Sequence, residues 1–158
     1  MAKIKFIVPI LLILFSGCSI KEYAHTKSKI ITIKTDKLKY SDLGYVKNSD
    51  DAVSLELFVA GKMIQNIEIN YLICVDEGCM SKSSFNEEYL NASYPDELLQ
   101  NISLGKPIYN RKNFVKTNDG FEQYIRDDNV NIKYSVDSKE IRFKDRRNSI
   151  LFKIKELR

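Results

Sequence analysis

The residues able to do covalent chemistry are few. Three cysteines, Cys18, Cys74 and Cys79, and one histidine, His25, supply every thiol and the only imidazole among 158 residues. Cys74 and Cys79 enclose Val75-Asp76-Glu77-Gly78. Two strand ends joined by so short a turn bring their thiols within bridging reach, so in an oxidising compartment the pair reads as a structural disulfide. A redox-active pair is the sharper alternative, but thioredoxin-like sites space their cysteines by two residues and follow a βαβ pattern that is absent here. Two thiolates with no second pair fall short of the four ligands of a structural zinc site, so no metal site is expected. His25 lies among Lys21, Glu22, Thr26, Lys27, Ser28 and Lys29, a solvated setting that fixes no partner for base or ligand work.

The other acid–base groups point the same way. Asp50-Asp51, Glu87-Glu88, Asp96-Glu97 and Asp127-Asp128 are neighbours in sequence, and such pairs become catalytic only where a fold makes them converge. Asp127-Asp128-Asn129 has the composition of a turn, without the further spaced oxygens of a calcium loop. There is no Gly-x-Ser-x-Gly elbow and no phosphate-cradling glycine loop, so no catalytic residue and no cofactor are expected. The chain carries 25 Lys plus Arg against 21 Asp plus Glu. That balance is too mild to predict nucleic-acid binding, and the length fits one domain. Arg142, Lys144, Arg146 and Arg147 with Phe143 form a basic cluster that reads as the wet face of a hairpin.

The amino terminus sets the compartment. Lys3 and Lys5 precede an apolar run from Phe6 to Phe15, which ends in Ser16, Gly17 and Cys18. Such a run is about half the length that spans a hydrocarbon layer, and with basic residues before it and small residues after it has the pattern of an export signal. Leu14-Phe15-Ser16-Gly17-Cys18 resembles the lipobox of bacterial lipoproteins, with Phe15 where Leu is commoner. The resemblance implies a signal peptide over 1–17, cleavage before Cys18 and acylation of the Cys18 thiol, with a membrane as partner through the lipid. Ser19 stands where Asp would mark inner-membrane retention, so the resemblance implies the outer membrane, without naming the face. Residues 18–29 then read as a lipidated tether, and removal of Lys3 and Lys5 lowers the formal charge from +4 to +2.

From residue 30 onward the dominant period is two. Ile31 and Ile33 alternate; Val53, Leu55, Leu57 and Val59 line one face; Gly61-Lys62 makes a turn; Ile67, Ile69, Tyr71 and Ile73 line the next. Phe121, Gln123 and Ile125 follow, then Val130 to Val136, Ile141 and Phe143, and Ile150, Phe152 and Ile154, with lysines and arginines opposite. One buried and one wet face is antiparallel behaviour. Asp137-Ser138-Lys139 and Asp145-Arg146-Arg147-Asn148 suit the connecting turns. Ser84-Phe85-Asn86-Glu87 has a capping-box pattern, and Pro95 to Leu104 reads as a second helix stopped by Gly105. The expectation is a mainly β fold over 30–158, an antiparallel β-sandwich of the immunoglobulin-like kind with seven or eight strands and a helical insertion at about 84–104. A small barrel is the alternative.

Phe85-Asn86-Glu87-Glu88-Tyr89-Leu90, Ser93-Tyr94-Pro95-Asp96-Glu97-Leu98-Leu99, Leu104-Gly105-Lys106-Pro107-Ile108 and Gly120-Phe121-Glu122-Gln123 together resemble small outer-membrane lipoproteins of epsilonproteobacteria, a group that includes an immunoglobulin-fold variant. The resemblance implies the sandwich and binding work at the envelope; it brings no active-site residues. The function expected is that of a lipid-anchored, non-enzymatic protein-binding or accessory module with an envelope protein as partner. The alternatives are a structural subunit stabilising an envelope or secretion assembly and a periplasmic thiol-redox protein.

Overall fold

Alternation of buried and exposed side chains carries the chain through eleven antiparallel strands and two helices in a computed structural model that describes residues 23–157. The leader 1–17 and the lipidation site Cys18 lie outside the described residues. Strands β1 (His25–Lys34), β2 (Lys39–Asn48), β3 (Val53–Val59), β4 (Lys62–Ile69), β5 (Leu72–Val75) and β6 (Gly78–Ser81) form one meander. Helices α1 (Lys82–Tyr89) and α2 (Leu98–Leu104) cross over to a second meander of β7 (Phe114–Lys116), β8 (Phe121–Arg126), β9 (Asn131–Val136), β10 (Glu140–Asp145) and β11 (Ile150–Glu156). The meanders fuse where β11 pairs with β1, Ile31 opposite Ile154 and Ile33 opposite Phe152. The result is one open sheet with β6 and β7 at its margins, mainly β and sandwich-like as the alternation predicts.

The sheet curls over the helical insertion. Helix α2 buries Leu98, Leu99, Ile102 and Ser103 and lies against both β3 and β10. Those strands are four places apart in the sheet order, about 19 Å if the sheet were flat, so contact with one helix requires the concave face to wrap around it. Ile31, Ile33, Leu55, Leu57, Ile69 and Ile73, together with Tyr134 and Phe143, share one buried core with Phe85, Leu98, Leu99 and Ile102 of the helices. Each such side chain contributes about 1.5–3 kcal/mol by leaving water. Gly105 ends α2 in the left-handed conformation, φ 66°, as the stop signal predicts.

Several expectations are corrected. β1 reaches back to His25, paired with Asn48, so the tether expected over 18–29 gives way to sheet at residue 25, and the histidine belongs to a strand. Helix α1 is capped by Ser81, whose hydroxyl accepts from Ser84 N–H at 3.0 Å, three residues before the expected start. α2 begins at Leu98, after a Pro95 turn in which the Pro95 carbonyl accepts from Leu98 N–H. The β3–β4 turn is Ala60-Gly61, φ 50° and 79°, a pair of left-handed residues matching strand twist. Strands β2, β6 and β7, with the division of the Ile67 to Ile73 row into β4 and β5, bring the number to eleven where seven or eight were expected. Tyr71 leaves the buried row for a solvent-exposed turn.

Candidate functional site

Cys74 and Cys79 are disulfide-bonded, directly opposite one another across the β5–β6 hairpin. The bridge lies on the last hairpin of the sheet, and β6 runs directly into the capping serine of α1. Its place in the fold is therefore to hold a sheet margin and the start of the helical insertion. Lys82 then ties the helices together, its ammonium donating to Glu97 at 2.8 Å and to Gln100 at 2.9 Å. Asn86, buried in α1, donates to the carbonyls of Tyr94 and Pro95 in the link between the helices.

The polar centre of the molecule is Asp145, expected only as a turn residue. It is fully buried at the end of β10. Its carboxylate accepts from the Tyr94 hydroxyl at 2.7 Å, from Asn148 Nδ2 at 2.7 Å, and from the N–H groups of Asn131 at 3.1 Å and Arg147 at 2.9 Å. Burial alone would raise this carboxyl; the hydrogen bonds from Tyr94, Asn148, Asn131 and Arg147 outweigh it and hold the group below its ordinary value. Tyr94 responds in the opposite direction: burial, then its bond to the Asp145 carboxylate, pushes the phenol far up. The pair is a locked donor and acceptor joining the helical link to the β10–β11 turn. Asn148 completes the lock by reaching Asn129 and Asn91.

A second polar anchor holds an unusual segment. Tyr109, Asn110 and Arg111, a short 3-10 turn, have φ of 47°, 51° and 65°, and Asn113 has 51°. Left-handed conformation costs a non-glycine residue about 1–2 kcal/mol, so a run of three needs support. Gln123 provides it. Fully buried on β8, it accepts from Ile108 N–H at 2.8 Å and donates to the carbonyls of Ile108 at 2.9 Å and Lys112 at 2.8 Å. Arg111 lies over the Phe114 ring at 4.0 Å. Among the described residues the buried Tyr109 hydroxyl has no hydrogen-bond partner, and burial, with the Asp127 and Asp145 carboxylates, pushes it up to about 12.

Strand register divides the molecule into two ends. His25, the turns at 49–52, 70–71, 117–120 and 137–139, and Leu157 share the end where β1 begins. The turns at 35–38, 60–61, 127–130 and 146–149 share the other, about 30 Å away along β1. The first end holds an open groove of about 670 Å³ bordered by His25, the end of α2 and the β9–β10 turn. Lys29 in its wall is paired with Glu156. The far end holds the β3–β4 hairpin tip, where Val59, Met63 and Ile64 are all exposed. The tip is braced from below: a bulge falls between Leu57 and Phe58, and the Tyr40 hydroxyl accepts from Phe58 N–H at 3.0 Å while donating to the Leu43 carbonyl. Tyr45 packs edge-on against Phe58 at 5.4 Å. From the basic cluster, Arg146 and Arg147 extend into solvent on the far-end β10–β11 turn.

Among the described residues no group of acidic, histidine and cysteine side chains is arranged to hold a metal, and no helix is long and apolar enough to cross a membrane. No protein-family model, curated protein or solved structure matches the chain.

Proposed function

We propose that the protein is a lipid-anchored, non-enzymatic binding module of the bacterial outer membrane that engages another envelope protein. The anchor rests on Leu14-Phe15-Ser16-Gly17-Cys18. The binding reading is carried by one observation: a stiff hairpin exposes Val59, Met63 and Ile64 at the end of the sheet opposite His25. Large apolar side chains clustered on a braced tip, away from the point of attachment, suit a protein contact. Arg146 and Arg147 are exposed on the β10–β11 turn of the same end, four places away in the sheet order, and favour a partner that carries acidic groups besides its apolar contact. The buried polar groups support a binding role over a catalytic one, because Asp145, Tyr94 and Gln123 are committed to bonds that shape the scaffold.

A photo-reactive phenylalanine analogue replacing Met63 tests this in intact envelopes. The expected result is a discrete protein adduct after illumination, identified by mass spectrometry and suppressed by Val59→Asp together with Ile64→Asp. Absence of any protein adduct contradicts the binding reading.

A further inference from the structure

The position of β1 relative to Cys18 restricts how an anchored molecule stands on its membrane. Six residues separate Cys18 from His25, which at full extension reach about 25 Å. The end of the sheet that carries His25 is therefore kept within about 25 Å of the bilayer, and the β3–β4 tip lies about 30 Å from that end along β1. This inference rests on the lipid-anchor reading above.

The held end has the side chains of a headgroup contact. Tyr71 is 93% exposed, with Leu72 beside it and Leu157 at the end of β11. The turn presenting Tyr71 is fixed: Asn70 N–H donates to the Leu72 carbonyl at 2.9 Å and the Asn70 side chain accepts from Leu72 N–H at 3.0 Å. A tyrosine held wholly in water by a rigid turn gains by entering the interfacial layer, where its ring meets acyl carbon and its hydroxyl meets water and headgroups. The charges at this end are mixed: Asp50, Asp51 and Asp119 are exposed on its turns, while the other carboxylates are engaged within the protein. Glu156 is paired with Lys29, Glu140 with Arg142 at 3.7 Å, and Asp137 accepts from the Lys139 and Glu140 N–H groups of its own turn. Lys106 and Lys139, on the groove wall, carry no ion pair among the described residues. We infer that this end seats on the phospholipid headgroup layer, with Tyr71 inserted at the interface and Lys106 and Lys139 facing lipid phosphates.

The chain has no tryptophan, so one introduced indole reports without background. Full-length lipidated protein carrying Tyr71→Trp, and separately Met63→Trp, is reconstituted with vesicles of phosphatidylethanolamine and phosphatidylglycerol. The expected result is a blue-shifted emission for Tyr71→Trp, several-fold protection from aqueous quencher and quenching by lipids brominated near the headgroup. Met63→Trp should keep the emission of a water-exposed indole. Protein that floats with the vesicles while the Tyr71→Trp indole remains open to aqueous quencher, or in which the Met63→Trp indole is shielded instead, overturns the seat and leaves the anchor standing. Protein that does not float with the vesicles overturns the anchor and the seat together.

Discussion

Asp145 shows how much of the fold depends on single side chains that local pattern does not reveal. As a sequence element it is the first residue of a turn; in the structure it joins β10, the helical link and the start of β9 through one carboxylate. Its partner Tyr94 lies 51 residues away, a separation for which alternation and capping signals carry no information. The same applies to Gln123, legible only as the inward polar member of a weak alternation, and to Tyr109–Arg111, whose left-handed backbone uses none of the glycines that would announce it. Asp145→Asn keeps the size of the side chain and removes the charge, and should lower stability by about 3 kcal/mol in urea unfolding. The pH dependence has a defined sign. The folded carboxyl lies below its ordinary value, so its contribution is complete above the unfolded value near about 4 and is lost as pH falls through the folded value. The urea midpoint of the wild type should therefore drop more steeply than that of Asp145→Asn below pH of about 4; parallel slopes would contradict the role assigned to this carboxylate.

At the scale of elements, the strongest alternations were legible and the short or polar strands were not. β9, β10 and β11 follow the rows Val130 to Val136, Ile141 to Phe143 and Ile150 to Ile154 closely. β2 escapes notice because its inward positions, Tyr40, Gly44 and Val46, are diluted by glycine and by polar neighbours. Gly44 is required there: an added Cβ would lie 2.7 Å from the Glu56 carbonyl oxygen. β6 and β7 have only four and three residues, too few for a period to register. Pattern alone puts the cap of α1 three residues late because Ser81, Ser83 and Ser84 all have cap chemistry; in the structure it is the Ser81 hydroxyl that accepts from Ser84 N–H. The disulfide was legible from the spacing of its two cysteines. Replacing both cysteines, Cys74→Ser with Cys79→Ser, should cost about 2 kcal/mol for a loop this short. Hydrogen exchange should rise first in β6 and the first turn of α1, with β9 to β11 unchanged. Equal loosening throughout the sheet would show that the bridge has a wider role.

For the whole molecule, antiparallel strands around a helical insertion follow from period-two patterning, whereas the fusion of two meanders at β1 and β11 does not. That pairing joins the first and last strands of the domain, and its register, Ile31 with Ile154, is set by which rows must face the same core. Its consequence is functional geometry. Because β1 is central in the sheet, the proposed lipid attachment would lie beneath the middle of the molecule rather than at a margin. The β3–β4 tip and the β10–β11 turn then share the outward end. This arrangement depends on the acylation of Cys18. Its most direct test is membrane partition of full-length protein, comparing wild type with Cys18→Ser in the native envelope. The account predicts that the wild type sediments with outer-membrane fractions and carries a mass increment for acyl chains, while Cys18→Ser is released into the soluble fraction; Cys18→Ser retained on the membrane to the same extent would contradict it.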